Sequence, residues 1–260
     1  MSANPHRPEV AQRVEDRLAR RGGVVELLRA PACLFELAVR ARRTAYDRGW
    51  LAGTKLPVPV VCVGNLTTGG TGKTPLVAWV VRELVARGFR PGILSRGYGA
   101  KPGEKNDEAL LLERLCPNVA HVQDKERARG GARLVELGCD AIGLDDGFQH
   151  RKLARDLDLV LVDATRPWGL AADERGRAVQ ALLPRGLLRE PPSSLARAHA
   201  LVITRCDAVT QAELARLQLE LPRHAPGRGV AHARHAPRAW VDERGTRSEL
   251  EALRGACVDL

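Results

Sequence analysis

Aromatic side chains are scarce in this chain: Phe, Tyr and Trp make up 3% of its 260 residues. Leucine, valine and alanine must therefore fill the interior that a hydrophobic content of 44% allows. Such a length suits one large α/β domain or a domain and a half. Closely paired cysteines are missing as well. Cys33, Cys62, Cys116, Cys139, Cys206 and Cys257 show no C-x-x-C spacing. That absence argues against a disulfide framework and for a reducing compartment. His232 and His235 form an H-x-x-H with no third ligand candidate nearby, so they read as a solvated loop rather than a zinc site. No long uninterrupted apolar run occurs near the start. The first apolar stretch is broken by Glu26, Arg29, Pro31, Glu36 and Arg40. It reads neither as a signal peptide nor as a bilayer-spanning helix. No internal repeat is visible.

What is present in excess is positive charge. The formal net charge is +10, which suits an anionic partner such as a nucleotide, a nucleic acid or an acidic membrane surface. It also suits a generally Arg-rich composition. Residues 1–57 carry eleven Lys/Arg against six Asp/Glu. Helical spacing over 34–46 puts Leu34, Phe35, Ala38, Val39, Ala41 and Ala45 on one side. Glu36, Arg40, Arg43 and Asp47 fall on the other. Such a basic amphipathic helix can lie in a membrane interface or pack on its own domain.

Beyond residue 57 the pattern alternates. Strand-like runs fall at 58–63, 92–95, 119–122, 141–144, 157–162 and 200–204. Helical runs fall at 75–87, 107–115, 126–137 and 211–221. Alternating elements with continuous apolar strands predict a parallel sheet covered by helices on both faces. Ligands in such sheets bind at the carboxyl ends of the strands. Ser95, Asp145, Asp146, Asp163 and Asp207 are all expected on that rim. The segment 223–238, rich in Pro, His, Arg and Gly, reads as a linker or irregular surface.

Residues 60–75, VVCVGNLTTGGTGKTP, are the most informative stretch. An apolar strand meets a glycine-rich turn that ends in Gly72-Lys73-Thr74 at the start of a helix. This order is that of a phosphate-binding loop. Backbone N–H groups of Thr67, Thr68, Gly69, Gly70, Thr71 and Gly72 would face a polyphosphate. Lys73 would place a point charge on it, and the Thr74 hydroxyl would hold Mg²⁺. The strict pattern wants glycine five residues before Gly72; Thr67 stands there, so the loop is a variant. A second signal is the strand 141–144 followed by Asp145-Asp146-Gly147, carboxylates placed to bind Mg²⁺ directly or through water. Gln149 and His150 follow and could bond a polar substrate or a phosphate. In Ser95-Arg96-Gly97-Tyr98-Gly99, Arg96 could contact phosphate or sugar and Tyr98 could stack on a ring. Thr204-Arg205-Cys206-Asp207 is similar to the guanine-reading element of GTPases, with arginine in the place of lysine.

Taken together, residues 64–75, Ser95-Arg96-Gly97-Tyr98-Gly99, the string Asp145-Asp146-Gly147-Phe148-Gln149-His150, Leu183-Pro184-Arg185-Gly186 and Leu188-Arg189-Glu190-Pro191 resemble the tetraacyldisaccharide 4'-kinase family of lipid A biosynthesis. The resemblance runs over roughly residues 30–207. It implies a P-loop NTPase-like α/β fold preceded by an N-terminal amphipathic, membrane-docking helix. The implied enzyme uses ATP and Mg²⁺ to phosphorylate the 4'-hydroxyl of an acylated glucosamine disaccharide, as a peripheral protein on the cytoplasmic face of the bacterial inner membrane. A monomer without a nucleic-acid partner is the expected state. Where the family has Gly-Asp-Glu-Pro this chain has Asn106-Asp107-Glu108-Ala109, and Asp107 is the implied base, with Lys73 and His150 beside it. Asn65, Arg96, Tyr98, Gln149 and Arg189 are implied substrate contacts. Thr74, Asp145, Asp146 and Glu190 are implied metal contacts. The implied organisation is a docking segment over 1–57, a kinase core over 58–222, and, over 223–260, a linker with the start of a truncated second subdomain. In the family that subdomain carries an Asp-His motif supporting the catalytic Asp. Two other readings stand beside this one: a membrane-associated or metallochaperone-type GTPase, and a catalytically impaired, membrane-docking nucleotide-binding remnant.

Overall fold

The computed structural model describes residues 7–20, 22–98, 105–234, 236, 239–241, 246–249 and 251. Gly99, His235 and Cys257 lie outside the described residues. The chain opens with α1 (Arg7–Ala19), a short 3-10 turn (Gly23–Leu28) and α2 (Arg29–Asp47). It then alternates through β1 (Val60–Asn65), α3 (Lys73–Ala86), β2 (Pro91–Ser95), α4 (Asp107–Leu115), β3 (Ala120–Gln123), α5 (Arg127–Glu136), β4 (Ala141–Asp145), β5 (Leu157–Asp163), β6 (Ala200–Thr204), α6 (Gln211–His224) and β7 (Gly229–His232). A small hairpin, β8 (Trp240–Val241) and β9 (Arg247–Ser248), follows.

The seven strands from β1 to β7 form one sheet of order β3-β2-β4-β1-β5-β6-β7, and every neighbouring pair is parallel. Every residue of β2 and β4 is buried, as are five of six in β1. That explains why these strands read as unbroken apolar runs: both faces are covered. Val60 and Cys62 of β1 pack with Leu134 of α5 and with Ile142 and Leu144. Val63 faces the other way, toward Val77, Val81 and Leu112 of α3 and α4. A third cluster, around Phe148, Trp168, Leu188 and Leu201, fills the space under α6. β1 lies between β4 and β5, where the winding direction of the sheet reverses. Crevices for ligands form at such a switch point.

Two regions differ from the sequence expectation. The segment expected to be a linker supplies β7, which pairs with β6 from Ala200↔Gly229 to Ile203↔His232. All four β7 residues are exposed, so no apolar pattern announces this edge strand. The expected apolar side of α2 is also divided. Phe35, Val39 and Ala45 are half-buried, whereas Leu34, Ala38 and Ala41 face outward. Leu34 (70% exposed) and Leu37 (65%) join Val24 and Leu27 of the preceding turn as outward apolar side chains. Arg185 fastens this N-terminal region: it donates to the carbonyls of Leu18 and Arg20 and to Glu26.

Candidate functional site: a phosphate-loop cleft

The loop between β1 and α3 turns sharply enough to point the helix N-terminus at the rim of the sheet. Gly72 makes this possible: it caps α3 in the left-handed region at φ 84°. Gly64 allows a different close approach, because a Cβ there would stand 2.6 Å from the Cβ of Phe148. The phosphate loop and the Asp145–His150 string are thereby packed together. Thr67 and Thr68 are drawn the other way. Thr67 bridges to Leu188, and the Thr68 N–H donates to the Leu187 carbonyl at 2.8 Å.

An open cleft of about 1160 Å³ spreads over this rim. From the loop it is lined by Gly69, Gly70, Thr71, Gly72, Lys73 and Thr74, and from the neighbouring elements by Arg96, Tyr98, Asp107, Asp145, Asp146, Gln149, His150 and Arg189. The structure thus gathers most of the expected site residues around one space. Thr67, Thr68 and Asn65 do not line it. Asn65 lies beneath: it donates to the Thr67 hydroxyl and accepts from Lys73 at 3.3 Å. Glu190 also lies outside the cleft lining: it lines the smaller neighbouring cavity, and its Oε2 accepts from Arg197 at 2.7 Å.

The charges are arranged in layers. Lys73 Nζ stands 3.6 Å from Asp146 Oδ1, and Arg189 Nη1 donates to Asp146 Oδ2 at 2.8 Å. Asp146 itself takes φ 50°, the left-handed turn that bends the chain back after β4. Burial would raise its carboxyl pKa, but Lys73 and Arg189 outweigh burial and hold it below the usual range. Asp145 has the opposite fate. Burial, followed by the nearby charges of Asp146 and Glu108, pushes its carboxyl up to about 7. Its Oδ1 is buried without a hydrogen-bond partner. A divalent cation would satisfy that oxygen, so the donor set fits Mg²⁺. Among the described residues no group of three or more His, Cys, Asp or Glu forms a metal cage. Mg²⁺ does not demand one, since it commonly takes one or two carboxylates plus phosphates and waters. His150 lines the same wall; burial and then the Arg127 charge lower its pKa, so the imidazole stays neutral near pH 7.

α4 brings Asp107 to the opposite side. Asn106 caps this helix by accepting from Ala109 N–H at 3.0 Å. It also accepts from Gln123 Nε2 at 2.8 Å and donates to the Tyr98 carbonyl at 3.0 Å. The cap, the end of β3 and the Arg96–Tyr98 turn are thus joined through one side chain. Sequence reasoning passed over Asn106, although an Asn directly before an acidic helical run is a recognisable N-cap signal. It also passed over Arg127, which is 2% exposed, donates to the Asp124 and Asp145 carbonyls and lines the cleft. No local pattern separates such a buried arginine from an ordinary surface one.

The arrangement matches a known family. The model of tetraacyldisaccharide-1-P 4'-kinase (LpxK) matches residues 24–258. The chain belongs to this family. The tetraacyldisaccharide 4'-kinase of Anaeromyxobacter dehalogenans (strain 2CP-C) is 43% identical over 92% of this chain and 66% of its own length. That of Syntrophus aciditrophicus is 37% identical over 88% of this chain and 66% of its own. The chain therefore spans about two thirds of the curated relatives it matches. Among solved structures, LpxK from Aquifex aeolicus, described as an "apo" form in complex with ATP, superimposes with a TM-score of 0.68 at 30% identity, covering 89% of this chain and 71% of that one.

Proposed function

We propose that this chain binds ATP with Mg²⁺ in the phosphate-loop cleft and transfers the γ-phosphate to the 4'-hydroxyl of a tetraacylated glucosamine disaccharide 1-phosphate. The observation that carries this reading is the meeting, in one cleft, of Lys73 on the loop, the unpartnered Asp145 oxygen and Asp107 on α4. Phosphoryl transfer is mostly positioning and charge stabilisation. The α3 N-terminus and Lys73 would hold the polyphosphate. Lys73 would exchange part of its bond with Asp146 for phosphate oxygens. Thr74, Asp145 and Asp146 would hold Mg²⁺, which when bound neutralises charge on the transferring group. Asp107 would accept the proton of the attacking hydroxyl, with Asn106 fixing the helix that carries it. Arg96, Gln149 and Arg189 would orient the sugar.

A smaller cavity of about 280 Å³ adjoins the cleft and shares Arg42, Gln149 and Arg189 with it. Phe35, Val39 and Leu183 give it an apolar wall, and Arg43, Arg151 and Arg197 ring it with guanidinium groups. An acylated, phosphorylated sugar has matching chemistry. No helix among the described residues is long and apolar enough to cross a membrane. The outward Val24, Leu27, Leu34 and Leu37, set among arginines, support peripheral docking on an anionic bilayer, the cytoplasmic face of the inner membrane, where this acceptor would lie. The test is a transfer assay with labelled ATP and the micellar disaccharide. Asp107→Ala should lower kcat by about 10²–10⁴-fold, the usual worth of a general base, with ATP affinity retained. Unchanged kcat would move the base elsewhere, to His150 first.

A further inference from the structure

Gln123 ends β3 behind the cleft rather than in its lining, and the transfer described above gives it no task. Its side chain nevertheless sits where three elements meet. Nε2 donates to Asn106 Oδ1 at 2.8 Å. The same Oδ1 accepts from the Ala109 N–H at 3.0 Å, and Asn106 Nδ2 donates to the Tyr98 carbonyl at 3.0 Å. The Asn106 amide can face only one way, because the opposite flip would set its NH₂ against two donors. The stem of Gln123 also lies against the Arg96–Tyr98 turn: a Cβ on Gly97 would stand 3.3 Å from the Gln123 Cβ. Beside it, the Asp124 N–H donates to the Ser95 carbonyl at 3.0 Å, and Ser95 Oγ is 2.8 Å from His121 Nε2. The ends of β2 and β3 are thus fastened to each other, and Asn106 with Gln123 fastens the start of α4 to both.

The side chains carried by this junction face the cleft. Asp107 follows Asn106 directly, and Arg96 and Tyr98 belong to the held turn; all three line the cleft. The Tyr98 ring is 79% exposed, so packing does little to fix that end of the turn. Its distance from Asp107 is set by the bonds that run from the Tyr98 carbonyl through Asn106 to the α4 N-terminus, with Gln123 closing them from β3. A glycine in the place of Asn106, as in the family's Gly-Asp-Glu-Pro string, could make none of these side-chain bonds. We propose that Gln123, acting through Asn106, is a positioning residue of this chain: it holds the Arg96–Tyr98 turn and Asp107 at the separation that seats the acceptor sugar beside its base. This rests on the cleft being the transfer site and on Asp107 being the base. None of these bonds involves the phosphate loop, so nucleotide binding is independent of the junction.

The test is steady-state transfer by the full chain with saturating Mg–ATP and the micellar disaccharide. Gln123→Met keeps the stem against Gly97 and removes the donor. Asn106→Ser keeps a helix cap and removes the bonds to Gln123 and Tyr98. Each should lower kcat about tenfold, part of the roughly 10²-fold that a 1 Å misplacement can cost. Each should also raise the acceptor KM about threefold, with Mg–ATP affinity by calorimetry held within about twofold and the melting temperature kept. The double variant should be no slower than the slower single, because both changes cut one junction. Unchanged kcat in both singles, multiplied losses in the double, or an equal loss of ATP affinity would overturn the proposal. Normal kcat in Asn106→Ser beside a slow Asn106→Ala would also overturn it and make Asn106 a cap alone. Asp107→Ala guards the underlying reading: if that variant keeps its kcat, the base lies elsewhere; if it is slow while Gln123→Met is not, the positioning idea alone fails. Hydrogen exchange reads the junction apart from activity. Gln123→Met should speed exchange of the Ala109 and Leu110 amides, which bond to Asn106, by about threefold, the low end of one hydrogen bond's worth. Unchanged exchange would overturn the junction; the exchange effect in a parent chain that transfers no phosphate would bring down the kinase reading instead.

Discussion

Replacing Asp145 with Asn should make the ligand-free protein more stable above neutral pH. Asp145 ends β4, is 4% exposed, and has one oxygen without a partner. Burial and then the charges of Asp146 and Glu108 raise its carboxyl from 3.8 to about 7. In the unfolded chain the same group ionises near its ordinary value. Between those two values the folded state binds more protons than the unfolded state. Unfolding free energy therefore falls as pH rises from about 4 to about 7 and stays lowered above that. A rise of this size corresponds to roughly 4 kcal/mol, and relaxation around the ionised group takes back part of it. Asn has the same shape and no charge. We expect Asp145→Asn to gain about 2 kcal/mol over the parent chain at pH 8, roughly a third of that at pH 5, and about zero near pH 3. Urea unfolding at several pH values, with chelator present, measures the difference. Saturating Mg–ATP should shift the balance back toward the parent chain, because only the carboxylate gains from the cation. A variant less stable than the parent at pH 8, with no dependence on pH, would refute the reasoning.

Three further outcomes follow from the geometry. Lys73→Ala removes a charged hydrogen bond worth about 1.5–3 kcal/mol to phosphate, so calorimetry should show ATP binding weakened by roughly ten- to a hundredfold. Asn106→Ala removes the α4 cap and should cost about 1 kcal/mol in urea unfolding; Asn106→Ser should restore most of it. Leu34→Glu with Leu37→Glu should reduce co-sedimentation with anionic vesicles while leaving the melting temperature unchanged, since both side chains already face outward.

The site was legible in the sequence wherever a strand end met a short, glycine-bearing turn. The stretch from β1 into α3 and the acidic end of β4 fell where their patterns placed them, because two-faced burial writes an unbroken apolar run. Strand β7 was not legible. Its residues Gly229–His232 are all exposed, and its pairing with β6 is made by backbone alone. Contacts between residues far apart in the chain were hidden for another reason. Asp146 is held by Arg189 across 43 residues, and the Gly70 carbonyl by Arg205 across 135 residues. No spacing rule reports such partners. The outward turn of Leu34 and the inward turn of Phe35 were likewise settled by which side of α2 found a core to pack against.

The most direct test of the account is the position of the transferred phosphate. The chain is incubated with Mg–ATP and the tetraacylated disaccharide 1-phosphate, and the lipid product is read by phosphorus–proton correlation NMR. The account predicts a new phosphomonoester on the 4'-oxygen, lost with Lys73→Ala and strongly slowed with Asp107→Ala. No transfer by a chain that binds ATP normally, or phosphate on any other oxygen, would contradict it.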